Sequence, residues 1–137
     1  MDITINYLAL VVCAILNMGV GMLWYGPLFG KTWVALMKFD PAKMEEAKKK
    51  GMGLSYLWAF LGAFVTAYAL VYFIGLLGVS DVMGAIELVC WIVLGFIATT
   101  LLSTVLWEGR PFVLYLINVG YYFVVLSLMA FILVSWQ

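Results

Sequence analysis

Four long apolar stretches, separated by shorter polar segments, dominate the pattern of the chain. Charged residues are absent from residues 3–30, 51–80, 88–107 and 111–137. A helix needs about 20 predominantly apolar residues to cross a bilayer, so each stretch is long enough to span it. None of them alternates apolar and polar residues as a β-barrel strand would. The pattern predicts one all-α membrane domain over residues 1–137. Its transmembrane helices are predicted at about 4–25, 54–77, 82–107 and 112–135.

The polar segment at residues 26–53 contains two shorter helical patterns. Apolar residues recur at three- and four-residue spacing in Phe29, Trp33, Leu36 and Met37. This spacing predicts an amphipathic helix, which either lies on the membrane surface or packs against the bundle. A second helix is predicted from Asp40 to Gly51, because Asp is a good N-cap and Gly a good helix stop.

Nearly all of the positive charge lies between the first two predicted spans. Six of the seven Lys and Arg residues fall within residues 26–53, and the seventh is Arg110, between the third and fourth spans. Asp2 and Asp81 are on the opposite side. Because positively charged loops stay in the cytoplasm, the charge pattern predicts a cytoplasmic 26–53 loop and two external termini.

Composition narrows the possible chemistry. Hydrophobic residues make up 67% of the chain and charged residues 10%, which excludes a soluble globular domain. The chain has no His, and no acidic pair lies within the predicted spans. The usual nucleophile pairs and His-containing metal sites are therefore missing, and we predict no enzyme, no cofactor and no metal. Cys13 and Cys90 are predicted to be free thiols within spans. The lysines at 48–50 follow Glu45 and Glu46, which predicts a solvated helix and not a nucleic-acid contact.

Polar residues inside the spans are the candidates for a functional site. Asn17, Thr100 and Asn118 lie at one depth, about 10 Å from the cytoplasmic ends of their helices at 1.5 Å per residue. Such a layer could bind a ligand, or it could hold helices together by hydrogen bonds.

Glu87 is the one acidic residue well inside a predicted span, about 8 Å from the start of the third helix. It is a candidate for binding a proton or a cation. Alternatively, the helix begins later and Glu87 is interfacial. At 100° per residue, Glu87 shares a helix face with Trp91, Leu94, Ala98 and Val105. Thr100, Ser103 and Thr104 fall on the other side. A straight helix therefore predicts no continuous polar path.

Small residues repeat every four positions on two spans and predict close helix packing. They are Ser55, Ala59, Ala63 and Ala67 on the second span, and Gly95, Thr99 and Ser103 on the third. Four helices enclose little room for a solute path, so transport would require a homo-oligomer, and a dimer is the first expectation.

The first and third spans end alike, each with Leu-Trp followed by Gly and Pro within the next few residues. Trp anchors a helix at the head groups, and Gly with Pro ends it. The predicted interfacial motif comprises Trp24, Tyr25, Pro27, Trp107, Glu108 and Arg110. A duplicated helical hairpin and convergence at one interface both explain the likeness.

Several of these motifs resemble a family of small bacterial four-helix membrane proteins of unknown function, the family numbered 1761. The resemblance is carried by residues 23–33 (LWYGPLFGKTW), 50–53 (KGMG), 108–111 (EGRP) and 117–121 (INVGY). It covers the whole chain and implies a multi-pass protein of the bacterial inner membrane, but it implies no activity. Gly26 departs from the pattern, since Ser is expected there in many relatives.

The leading functional expectation is a non-enzymatic membrane protein that acts through assembly, or through contacts with lipids or a partner. The alternative is a small homo-oligomeric transporter or channel for a solute or ion. A lipid-modifying enzyme would need a nucleophile and a base that the sequence does not provide.

Overall fold

The computed structural model describes residues 5–37, 42, 45, 46, 49 and 53–136. This part of the chain is almost entirely helical, and four of its helices are long and apolar enough to cross a membrane. They run over Tyr7–Leu28, Gly53–Leu76, Val82–Leu106 and Phe112–Ser135. The predicted all-α fold with four transmembrane helices is confirmed, and the chain is a multi-pass membrane protein.

Two of the four spans contain a π-turn, in which hydrogen bonds join residues five apart instead of four. The first π-turn, Trp24–Leu28, follows the α-helix Tyr7–Leu23 and completes the first span. The second π-turn, Val93–Ile97, interrupts the third span between the α-helices Val82–Ile92 and Ala98–Leu106. The second and fourth spans are continuous α-helices.

The fourth span lies at the centre of the packing. It packs on the first and third spans and, over a shorter length, on the second, while the first span also packs along the second. The third span rests mainly on the fourth, and its buried residues are Ala85, Val89 and Val93. A large part of the third span is therefore uncovered in a single chain.

The apolar core lies in the half of the bundle nearer to the two chain ends, which we call the terminal side. Aliphatic side chains and small residues of all four spans meet there, and Cys13 Sγ lies 3.8 Å from the Met129 carbonyl oxygen. Both cysteines are free, as predicted. On the second span Ala63 and Ala67 are buried in this core, whereas the earlier members of the predicted small-residue ridge are exposed.

The first span does not end at Gly26 and Pro27 as predicted. The first π-turn carries the helix past Pro27 to Leu28, and the Phe29 N–H donates to the Trp24 carbonyl over 2.9 Å. Proline lacks an N–H, and its ring clashes with the carbonyl four residues earlier in an α-helix, so a wider turn can accommodate it. The third span ends as predicted: its helix stops at Leu106, and Gly109 follows with a φ of 69°, which favours glycine.

The loop helix, Gly30–Met37, confirms the predicted amphipathic element after the first span. Phe29, Trp33 and Leu36 are half-buried, while Lys31 and Ala35 are exposed. The helix packs against the fourth span and places Trp33 on Tyr25, with ring centroids 5.2 Å apart. Of the two expected arrangements, packing against the bundle is therefore observed. The predicted Asp40–Gly51 helix lies outside the described residues except for Ala42, Glu45, Glu46 and Lys49, which are helical.

Candidate functional sites in the membrane

A polar and aromatic cluster joins the first and fourth spans on the loop side, away from the apolar core. Tyr25 donates its hydroxyl hydrogen to Asn118 Oδ1 over 2.7 Å, and Tyr121 donates to Asn17 Oδ1 over 3.0 Å. The Trp24 indole N–H donates to the Ile117 carbonyl oxygen over 3.0 Å. We call these side chains, Asn17, Trp24, Tyr25, Asn118 and Tyr121, the loop-side cluster.

Aromatic stacking extends the loop-side cluster into the loop helix. The rings of Trp33, Tyr25, Tyr121 and Tyr122 form a row, with successive centroids 5.2, 5.3 and 5.3 Å apart. Tilted and edge-on contacts of this kind stabilise a structure by about 0.5–1.5 kcal/mol each beyond the area they bury. The row therefore fastens the loop helix to the bundle.

The first π-turn and two close approaches place the cluster's rings. The turn directs Trp24 at Gly120 of the fourth span, where an added Cβ would lie 3.3 Å from Trp24 Cζ2. After the turn the backbone folds back so tightly that a Cβ on Gly30 would meet the Tyr25 carbonyl oxygen at 2.7 Å. A side chain at Gly30 would therefore require the backbone to move.

Two of the three predicted layer residues enter the loop-side cluster, and the third does not. Asn17 and Asn118 are half-buried, and Tyr121 and Tyr25 bridge them to the opposite span. Tyr25 was predicted only as part of the interfacial motif, and Tyr121 was not predicted as a site residue. Thr100 lies apart, exposed on the third span, where its carbonyl accepts a hydrogen bond from the Ser103 hydroxyl over 3.0 Å. The Gly-Tyr-Tyr run was the available signal, because Gly120 leaves room for the Trp24 ring beside Tyr121.

The matched ends of the first and third spans differ in their surroundings. Trp24 and Tyr25 are half-buried within the loop-side cluster, whereas Trp107 is 85% exposed, and Glu108 and Arg110 are exposed beside it. The shared Leu-Trp motif thus forms a helix contact at the end of the first span and an exposed anchor at the end of the third span.

A second candidate site lies on the uncovered side of the third span. Exposed residues recur there every four positions, and we call them the third-span stripe: Glu87, Trp91, Gly95, Thr99 and Ser103. The opposite side repeats in the same way, with Ala85, Val89 and Val93 buried and Ile97, Leu101 and Val105 half-buried. The stripe faces away from the fourth span.

The second π-turn explains this four-residue repeat and corrects the expected helix face. Every four residues of an α-helix drift by about 40° around its axis, so a four-residue row would wind away from its starting face. A π-turn uses more residues per turn and rotates the row back. Thr99 and Ser103 consequently lie on the exposed side with Glu87, whereas Ala98 and Val105, expected on that face, are half-buried.

Glu87 lies outside the bundle of a single chain. The helix begins at Val82, where it was predicted to begin, and its N-cap Asp81 accepts a hydrogen bond from the Gly84 N–H over 2.9 Å. A 25-residue span exceeds the roughly 30 Å of hydrocarbon by a few ångströms at each end. Centred in a bilayer, it places the Glu87 Cα about 4 Å and the Trp91 Cα about 10 Å within the hydrocarbon.

Comparison with known families identifies the chain. The family described as "Protein of unknown function (DUF1761)" matches it over residues 8–134, nearly its whole length. The chain belongs to the DUF1761 family. No curated protein and no solved structure matches it. DUF1761 membership confirms the resemblance found in the sequence motifs, and the match includes both the loop-side cluster and the third-span stripe.

Proposed function

We propose that this DUF1761 protein is a non-enzymatic membrane protein that acts by assembling with another membrane protein chain through the third-span stripe. The observation that carries the proposal is the exposure of this stripe within a span. Hydrocarbon cannot hydrogen-bond the Trp91 indole N–H, and the Glu87 carboxylate lies at the edge of the hydrocarbon, so leaving both uncovered costs free energy. A protein surface that covers the stripe recovers that cost.

The chemistry of the stripe suits a helix partner. An added Cβ at Gly95 would meet nothing within 4 Å, so the backbone there is open to approach. The Thr99 hydroxyl donates to the Gly95 carbonyl over 2.8 Å, so this polar group is satisfied within its own helix. Small residues at four-residue spacing let two helix backbones come close, which strengthens van der Waals contact between helices in lipid.

Site-specific photocrosslinking in native membranes tests the assembly. Leu94, beside the stripe, and Val65, at the middle of the second span, are 66% and 65% exposed and serve as matched positions for benzoylphenylalanine. We expect a discrete protein adduct from position 94 and only lipid adducts from position 65. Lipid adducts alone at both positions would contradict assembly through the third span.

A small homo-oligomeric transporter is the alternative function. Its support is that the second π-turn brings Thr99 and Ser103 onto the same side as Glu87, so a polar line extends along much of the span. Between two copies, such a line could supply the path that a single bundle lacks. Ion flux into proteoliposomes that is lost in Glu87→Gln would support transport, because this substitution removes the ionisable group and keeps the size.

We also propose a bacterial inner-membrane location, with both termini outside and the 26–53 loop in the cytoplasm. The support is the seven positive charges on the loop side. Single cysteines at Lys49 and at Ser80, in a chain lacking Cys13 and Cys90, report orientation through an impermeant thiol reagent. We expect external reagent to label position 80. Preferential labelling of position 49 would reverse the topology.

A further inference from the structure

We propose that the partner of the third-span stripe is a second copy of this chain, and that the two copies form a parallel two-fold dimer. In this dimer the Glu87 carboxylate of each copy accepts a hydrogen bond from the Trp91 indole N–H of the other. The inference rests on the proposed function, because it names the occupant of the same surface.

Glu87 and Trp91 are complementary hydrogen-bonding groups, and neither has a partner within the described residues. A carboxyl group offers acceptor oxygens, and an indole N–H only donates. Within the described residues neither side chain has a hydrogen-bond or ion-pair partner. Trp91 is 70% exposed although it lies near the middle of the span, away from the head groups where exposed Trp is usually found. An unpaired acceptor and an unpaired donor on one surface match a second copy of that surface.

The geometry of a membrane dimer lets the two groups meet reciprocally. Copies of one chain insert with the same topology, so a two-fold axis between them runs along the membrane normal and their third helices are parallel. The Trp91 Cα lies about 6 Å deeper than the Glu87 Cα. Helical side chains lean toward the N-terminus, so the Trp91 ring extends toward the level of Glu87 in the facing helix. The long Glu87 side chain bridges the remaining offset when its carboxylate turns back toward the facing indole.

The rest of the stripe allows the helices to come close enough for these bonds. Gly95 is open, and Thr99 and Ser103 continue the row of small residues toward the loop side. Because of the second π-turn, this row stays on the same side of the helix as Glu87 and Trp91. A two-fold contact places the small residues nearest to the axis opposite their own copies, while Glu87 and Trp91 flank the axis and face each other across it.

Disulfide crosslinking tests whether the stripe, and not the helix surface next to it, forms the interface. Thr99 and Thr100 are adjacent, exposed and of one residue type, but Thr99 is in the stripe and Thr100 is not. In a chain with Cys13→Ala and Cys90→Ala, copper phenanthroline would oxidise two facing thiols to a disulfide. We expect dimers from Thr99→Cys at least several-fold more often than from Thr100→Cys. Equal yields, or none from Thr99→Cys, would overturn the proposed interface.

Energy transfer between labelled copies in liposomes tests the Glu87 and Trp91 bonds. A dimer has two such bonds, and two hydrogen bonds between helices in a membrane together change association by roughly tenfold. We expect Glu87→Leu and Trp91→Phe each to weaken dimerisation roughly tenfold. Because both remove the same bonds, the double variant should be no weaker than either single one. Additive effects, or no effect of either substitution, would overturn the reciprocal pairing.

Two outcomes separate this inference from the proposed function. Position-94 adducts to a different protein, without energy transfer between wild-type copies, would overturn the dimer and keep assembly. Lipid adducts alone would overturn both. Phe96→Leu is the folding control, because Phe96 is 73% exposed on the same helix outside the stripe, and we expect it to dimerise normally.

Discussion

The π-turns of the first and third spans have opposite effects: the first turns side chains into the bundle, and the second keeps side chains on its outer surface. The first, Trp24–Leu28, turns aromatic residues inward against the fourth span and creates the loop-side cluster. The second, Val93–Ile97, keeps the third-span stripe outward, on the side that the bundle leaves open. The same departure from α-helical geometry therefore builds an internal contact in one span and an external surface in another.

The difference arises from what lies beside each turn. Beside the first turn, Gly21 leaves room for the Tyr121 ring and Gly120 for the Trp24 ring. The Tyr25 and Tyr121 hydroxyls donate to asparagines on the facing helix. The second turn packs on the fourth span on one side, and Leu94, Gly95 and Phe96 on its other side are exposed. A π-turn thus changes which residues share a face, and neighbouring helices decide whether that face is buried.

The largest expected effect comes from deleting one residue in a continuous span. The same deletion within a π-turn should have little effect. Deletion of Val124 from the continuous fourth span rotates the following residues by about 100° and displaces buried Met129 and Leu133. Losing such contacts costs about 2–5 kcal/mol per large side chain, so we expect no folded protein. Deletion of Leu94 converts the second π-turn into an α-turn and keeps both flanking faces in place.

Size-exclusion chromatography and thermal unfolding in detergent measure both deletions. We expect the Leu94 deletion to fold with a change in unfolding free energy below about 1 kcal/mol. A folded Val124 deletion together with an unfolded Leu94 deletion would refute the role assigned to the second π-turn.

Substitution of the two matched tryptophans gives the next largest effect. Trp24→Ala removes a half-buried ring and its bond to the Ile117 carbonyl, and should lower the unfolding free energy by about 2–3 kcal/mol. Trp107→Ala, at the 85% exposed equivalent, should change it by less than about 0.5 kcal/mol. Detergent unfolding curves measure both, and equal losses would remove the distinction between the two span ends.

The smallest effect concerns single hydroxyl groups. Tyr121→Phe removes the donor to Asn17 and should cost about 1 kcal/mol. Tyr122→Phe is the adjacent control, because the Tyr122 hydroxyl has no hydrogen-bond partner among the described residues, and it should have no measurable effect. The same unfolding measurement applies, and identical stabilities of the two variants would argue against the bridging bond.

Part of the candidate sites could be predicted from the sequence. Asn17, Asn118 and Glu87 are identifiable from the sequence alone, because polar groups within spans are costly. Tyr25 and Tyr121 were missed as bridging residues, since a tyrosine near a helix end is equally consistent with an interfacial anchor. The sequence places Thr100 at the same depth as the two asparagines, but depth does not determine which side of a helix a residue occupies.

The sequence by itself determined the four spans and the amphipathic loop helix, because hydropathy is a local property of each position. Only the tertiary structure decided that the first span continues past Pro27, which tyrosines bond to the asparagines, and which residues share a face with Glu87. Those features depend on π-turns and on neighbouring helices. A helical wheel assumes one constant rotation per residue, and a single wider turn is enough to move Thr99 and Ser103 to the side of Glu87.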